Sequence, residues 1–93
     1  MIKTFTDKTT AAVFAGFAAR KLPPSIMKRA REKLDMLHRA RILDDLRAPP
    51  ANRLEALSGD RAGFWSIRIN DQWRVCFRFD SGDAFDVEIV DYH

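Results

Sequence analysis

The sequence predicts an α+β fold in which a small antiparallel sheet packs against a two-helix hairpin. Two observations carry this reading. The last third of the chain, Gly63 to His93, alternates apolar and polar residues in three successive runs, GFWSIRIN, DQWRVCFRF and DAFDVEIVDYH. Period-two alternation in consecutive segments is the mark of antiparallel strands with one buried face. Before them, Ala11, Phe14, Phe17 and Ala18, and then Ile26, Ala30, Leu34 and Leu37, recur at helical spacing. The chain has 93 residues, the length of one domain spanning 1–93. A domain of this size buries roughly 60–65% of its unfolded surface in a single modest core.

The elements follow in order. Ile2-Lys3-Thr4-Phe5 alternates and reads as a short first strand. Asp7 is placed to accept from the first free N–H groups of a helix. That helix breaks at Lys21-Leu22-Pro23-Pro24, and a proline suits the first turn of the next. The link between the two helices is short, so they form an antiparallel pair whose apolar faces cover the sheet. Arg41 to Arg47 reads as one more helical turn, ended by Ala48-Pro49-Pro50. Asn52 to Leu57, with Leu54 and Leu57, reads as a short strand, and Ser58-Gly59-Asp60 as a turn.

Within the sheet, Trp65, Ile67, Ile69, Trp73, Val75, Phe77, Phe79, Phe85, Val87 and Ile89 share the buried face. Matching apolar faces sets Ile69 opposite Trp73 and Ile67 opposite Val75, with Asn70-Asp71-Gln72 as the loop. Arg68 then faces Arg74. The next hairpin pairs Phe79 with Phe85, Arg78 with Asp86, and Arg74 with Val90. The outer face carries Arg68, Arg74, Arg78, Glu88 and Tyr92. Arg78 has an acid across the strand and reads as structural. Arg74 has none, Glu88 being only diagonal. Two arginines set opposite each other are destabilising unless an anion lies between them, and arginine suits bidentate phosphate contact.

Composition narrows the class. With 46% hydrophobic and 31% charged residues, the chain is globular rather than disordered. Its net charge of +3 is unevenly spread. Arg20 to Arg47 holds nine basic residues against four acids, whereas Asp60 to Asp91 holds four arginines against seven acids. A positive helical half favours a polyanion, nucleic acid first. The plainer reading is a solvated helix laced by Lys28–Glu32 and Arg31–Asp35 pairs. One cysteine, Cys76, permits no internal disulfide and fits a reducing cytoplasm. One cysteine and two histidines, His38 and His93, fall short of a zinc set, and no metal or cofactor is expected. The N-terminus lacks the apolar core of a signal peptide, and no stretch approaches the roughly 20 apolar residues of a membrane span.

Met1-Ile2-Lys3-Thr4-Phe5, the stretch RLEALSGDRAGFWSIRINDQWRVCFRF and the terminal Asp91-Tyr92-His93 resemble the HigB branch of the RelE-like toxins. These belong to bacterial type II toxin–antitoxin systems and are also called plasmid maintenance killer proteins. The resemblance covers nearly the whole chain and implies the RelE-like sheet-and-helices fold. It implies an mRNA interferase, a ribosome-dependent endoribonuclease that cuts translated mRNA at the decoding site without a metal. It also implies inhibition by a HigA-like helix-turn-helix antitoxin, with DNA engaged only through the antitoxin complex. On the family pattern Arg74 contacts the scissile phosphate, and Asp91, Tyr92 and His93 form the acid, aromatic and histidine of the site. Gln72 matches a polar site position. Glu55 and Ser58 stand where some members have a catalytic histidine and lysine.

Cleavage at a phosphodiester by the 2′-OH needs a base, a stabiliser of the phosphorane charge and an acid for the leaving 5′-oxygen. Arg74, helped by Arg68 or Arg61, suits the charge. Histidine, with an unperturbed pKa of about 6.5, suits proton transfer at neutral pH. Tyr92 can stack on a base or orient the 2′-OH. Glu55 is a candidate base if its strand borders the site, so the base stays open between Glu55 and His93. Structural roles compete at each position: His93 as a frayed end, Tyr92 as an edge cap, His38 as a helix-surface residue, Trp65 and Trp73 as core, Cys76 as inert. A same-fold toxin that poisons a protein target such as DNA gyrase is the alternative, as is an RNA-binding module without catalysis.

Overall fold

The computed structural model describes residues 1–92. Two helices, α1 (Lys8–Phe14) and α2 (Met27–Arg39), precede a four-stranded antiparallel sheet. Its strands, β1 (Glu55–Ala56), β2 (Trp65–Arg68), β3 (Trp73–Asp80) and β4 (Asp83–Asp91), lie in chain order. Short 3-10 turns at Pro24–Ile26, Leu43–Arg47, Pro50–Asn52 and Gly59–Arg61 join them. Among the described residues no helix is long and apolar enough to cross a membrane.

The Asp7 carboxylate accepts from the Thr10 N–H at 2.9 Å, which starts α1. The helix is shorter than its apolar spacing suggests. It stops before Gly16, whose φ of +98° a residue with a side chain rarely adopts. Phe17 therefore lies off the helix and is 66% exposed, and the buried residues of α1 are Thr10 and Val13. From the turn before α2 through α2 itself the expected stripe holds: Ile26, Ala30, Leu34 and Leu37 are buried against the sheet residues Ile67, Val75, Phe77, Val87 and Ile89. Trp65 and Trp73 pack at the margin of this core.

Residues 1–5 do not merely begin the chain. Ile2 and Phe5 bridge in parallel to Ala84 and Val87, closing the outer edge of β4. The Ile2 N–H donates to His38 Nδ1 at 3.0 Å, and the His38 ring lies 5.2 Å from Phe14. His38 is thus a half-buried bridge between α2 and the N-terminal segment, not a surface residue. The next N–H available on that edge, from Ile89, donates to the Thr10 hydroxyl at 2.9 Å.

The first hairpin has the expected register, Ile67 opposite Val75 and Arg68 opposite Arg74. The second keeps Arg74 opposite Val90 but shifts beyond Cys76, so Arg78 faces Phe85 and Phe79 faces Ala84. The cause is Asp86, at φ +53°, which makes a bulge. Its N–H, freed from the ladder, donates to the Thr4 hydroxyl at 2.7 Å. Ala84 enters the core in place of Phe85, whose ring sits beside the Arg78 guanidinium at 5.6 Å. Arg78 still reaches Asp86 at 2.8 Å, so the ion pair survives a register that the side-chain pattern alone could not set.

Candidate active site

The sheet face away from the helices is built around one row of residues. Glu55, Ser66, Cys76 and Glu88 face one another across β1, β2, β3 and β4. Ser66 and Cys76, at its centre, are fully buried. Long side chains arching over the row bury them. Arg61, from the turn after β1, reaches Glu88 at 3.2 Å and sits beside the Phe64 ring at 5.8 Å. Arg74, two residues along β3 from Cys76 and on the same face, lies back over Ser66.

Arg74 is neither exposed nor unpaired, contrary to what alternation implies. Only 6% of the residue is accessible. Its Nε donates to the Ser66 hydroxyl at 2.8 Å, and its Nη2 to the Arg53 carbonyl at 2.7 Å. Glu55 Oε1 lies 3.4 Å from Nη2, and the Tyr92 ring centre lies 5.3 Å from the guanidinium carbon. The acid that sequence register could not supply comes from β1, a strand of two residues. Glu88, the diagonal candidate, is taken by Arg61.

Glu55, Ala56, Leu57, Ser58, Arg61 and Tyr92 line an open depression of about 220 Å³ beside Arg74. Gln72 sits behind it. Its carbonyl accepts from the Tyr92 N–H at 2.6 Å and its side-chain amide donates to Asp91 at 3.1 Å. The loop after β2 thereby fixes the end of β4 and the ring that covers Arg74. The structure thus brings together Arg74, Glu55, Arg61, Tyr92, Asp91 and Gln72. His93 lies outside the described residues.

Arg68 is not brought in. Although it faces Arg74 across the strands, its guanidinium is held by Asp71 and lines a separate depression with Arg29, Lys33, Ala51 and Ile69. β1 ends before this row, so the Arg68 side chain finds open space at the sheet edge and leans toward α2. The expected sharing of one phosphate by Arg68 and Arg74 has no geometric support. Lys33, in this second depression, has its pKa lowered, first by burial and then by Arg29. Arg31 turns away from Asp35 and donates to the Val13 carbonyl at 3.2 Å.

Ser66 and the Arg53 carbonyl were not legible as site groups. Ser66 is a diagonal neighbour of Arg74 in the register Ser66–Cys76, and that was the available signal. Arg53 gave none: it is set by a left-handed backbone, φ +46° and ψ +55°. Cys76 stays inert, its thiol pKa raised above 9.0 mainly by burial.

The family model described as the RelE-like toxin of the type II toxin–antitoxin system HigB matches residues 3–93. The chain is 32% identical over 93 residues to the endoribonuclease HigB of Proteus vulgaris, covering all of both chains. It is 42% identical over 85 residues to the toxin HigB-1 of Vibrio cholerae, covering 90% of each. Its fold superposes on YafQ of E. coli with a TM-score of 0.64 at 11% identity, covering 98% of this chain and 91% of that one. It superposes on the toxin–antitoxin complex YoeB–YefM of Staphylococcus aureus with a TM-score of 0.61 at 17% identity, covering 100% and 98%.

Proposed function

Since the chain belongs to the HigB-like, RelE-like toxins of type II toxin–antitoxin systems, we propose that it is an endoribonuclease that cuts mRNA on the translating ribosome. The observation that supports this most directly is the setting of Arg74. A guanidinium flanked by Glu55 and Tyr92 at the margin of an open cavity matches what a phosphorane needs. An RNA phosphate entering there displaces the 3.4 Å contact with Glu55. It takes Arg74, with Arg61 second, as its counter-charge. Glu55, released beside the 2′-OH, serves as base, and His93 supplies the proton to the 5′-oxygen. Tyr92 stacks on a neighbouring base. Few proton-transfer groups are present, so the orientation that the ribosome gives the mRNA does much of the work. The setting is the cytoplasm, where ribosomes are.

The inhibitor is a HigA-like antitoxin, and its docking surface is the helical side. A depression of about 440 Å³ lies between the start of α2 and the β2–β3 loop, lined by Ser25, Lys28, Arg29, Glu32 and Asn70 among others. It adjoins the depression of Arg29, Lys33 and Arg68. Such a surface suits a carboxylate-bearing segment and leaves Arg74 uncovered, so inhibition works by blocking ribosome entry. An antitoxin complex with side chains inserted at Arg74 would refute this mode.

The test of activity is primer extension on a reporter mRNA in a reconstituted translation system, comparing the wild type with Arg74→Ala and with His93 deleted. Discrete cuts inside translated codons, absent without ribosomes and lost in both variants, are the expected result. No cuts, with growth still arrested in cells, would move the target to a protein such as gyrase.

A further inference from the structure

Arg74 is oriented by groups that do not themselves face the cavity. Ser66 is fully buried beneath it, and the Ser66 hydroxyl accepts from Nε at 2.8 Å. The Arg53 carbonyl accepts from Nη2 at 2.7 Å, and the Ser66 carbonyl is a longer acceptor at 3.4 Å. Bonds on Nε and Nη2 together fix a planar guanidinium in both tilt and rotation. The Arg53 carbonyl reaches it because Arg53 holds a left-handed conformation that non-glycine residues seldom adopt. The sheet itself has no need of a hydroxyl here. Position 66 is central in a strand, where an apolar side chain packs as well. A buried hydroxyl directed at the one arginine buried among the described residues therefore has its explanation in that arginine.

We infer that Ser66 is a positioning residue, whose hydroxyl acts with the Arg53 carbonyl to hold the Arg74 guanidinium plane in register with the scissile phosphate. The inference rests on the reading of Arg74 as the phosphate-contacting group. An arginine that only needed to supply charge would tolerate loss of this support. One that must match two phosphate oxygens would not, because a misplacement of about 1 Å costs on the order of a hundredfold in rate.

The experiment is single-turnover cleavage of a reporter mRNA on purified ribosomes, at varied ribosome concentration, for wild type, Ser66→Ala, Ser66→Cys, Arg74→Ala and the Ser66→Ala/Arg74→Ala double variant. Expected for Ser66→Ala is a maximal rate lowered about tenfold to a hundredfold, with half-saturation by ribosomes unchanged. The double variant should be no slower than Arg74→Ala alone, because Ser66 acts only through Arg74. Ser66→Cys keeps the volume with a weaker acceptor; it should fall between wild type and Ser66→Ala, and it carries the test if the alanine variant does not fold. Wild-type rates in the Ser66 variants, with Arg74→Ala inactive, overturn this inference and leave the nuclease reading standing. A double variant slower than Arg74→Ala by the full Ser66 factor also overturns it. Absence of any cleavage by the wild type overturns both.

Discussion

The Tyr92 ring centre lies 5.3 Å from the guanidinium carbon of Arg74, and the Tyr92 backbone is pinned by Gln72 at 2.6 Å. The ring is 42% exposed, so it is a partial lid rather than a core residue. If the ring face is what matters, Tyr92→Phe should keep most of the cleavage rate. Tyr92→Ala should lose on the order of tenfold or more, as expected when a base-stacking platform is removed. A phenylalanine variant as slow as alanine would assign the role to the hydroxyl. Cleavage rates on purified ribosomes give the comparison.

A second prediction concerns stability. The Thr10 hydroxyl is the acceptor for the Ile89 N–H at 2.9 Å, and both residues are buried. Thr10→Val keeps the shape and removes the acceptor, leaving that N–H without a partner. The expected loss is about 1–3 kcal/mol, read as a drop of several degrees in thermal midpoint. An unchanged midpoint would mean that water replaces the hydroxyl.

The Cys76 thiol is raised above 9.0, burial being the largest cause. A thiol that stays protonated in the fold ionises first in the unfolded chain. Its contribution to stability is therefore complete below pH 9.0 and declines as pH rises past that value. At neutral pH the native protein should react with iodoacetamide far more slowly than the denatured chain does, which mass spectrometry over a time course records. Rapid native labelling would show that the roof of Arg61 and Arg74 opens readily.

Asp45 titrates in the opposite sense. Its carboxylate accepts from the Arg41 N–H at 2.9 Å and the Ile42 N–H at 3.2 Å, and these bonds lower its pKa from 3.8. A carboxylate with a depressed folded pKa gives stability that is present above pH 3.8 and is lost as pH falls through the lower folded value. Asp45→Asn should flatten that part of the acid-unfolding curve without changing its neutral-to-alkaline limb. A carboxyl titration midpoint at or above 3.8, by NMR, would contradict it.

The sequence carried the fold as far as local periodicity reaches. Ile26, Ala30, Leu34 and Leu37 could be placed on one face because they obey the helical repeat, and Ile67 against Val75 because apolar faces must match. Alternation failed at Phe85, where one left-handed residue, Asp86, shifted the pairing of Asp83 to Phe85 by one position while Val87 to Asp91 kept the expected register. It failed again at Arg74. Period two assigns a side chain to a face, but burial on that face depends on what arches over it, here Arg61 and Tyr92 from distant segments. His38 was misjudged for the same reason, its partner Ile2 being 36 residues away. Arg74, Glu55, Tyr92, Asp91 and Gln72, which the structure brings together, were named through the resemblance, whereas Ser66 and Arg53, the groups that hold Arg74, were not. A backbone carbonyl has no side-chain signature, and a serine in a strand is common.

The pairing of residues 1–6 with β4 has a kinetic meaning. Asp86 and Thr4 stand 82 positions apart, and Ile89 and Thr10 stand 79 apart. The strand that leads into Tyr92 thus has one flank closed by contacts between residues about 80 positions apart. Such loops close late, because their chain entropy must be spent before any contact rewards it. Until then β4 presents a free row of amides next to apolar side chains, the form of edge that recruits other chains. A variant trimmed at its first six residues would therefore lose more than stability. It would expose, beside the cluster around Arg74, a template for aggregation.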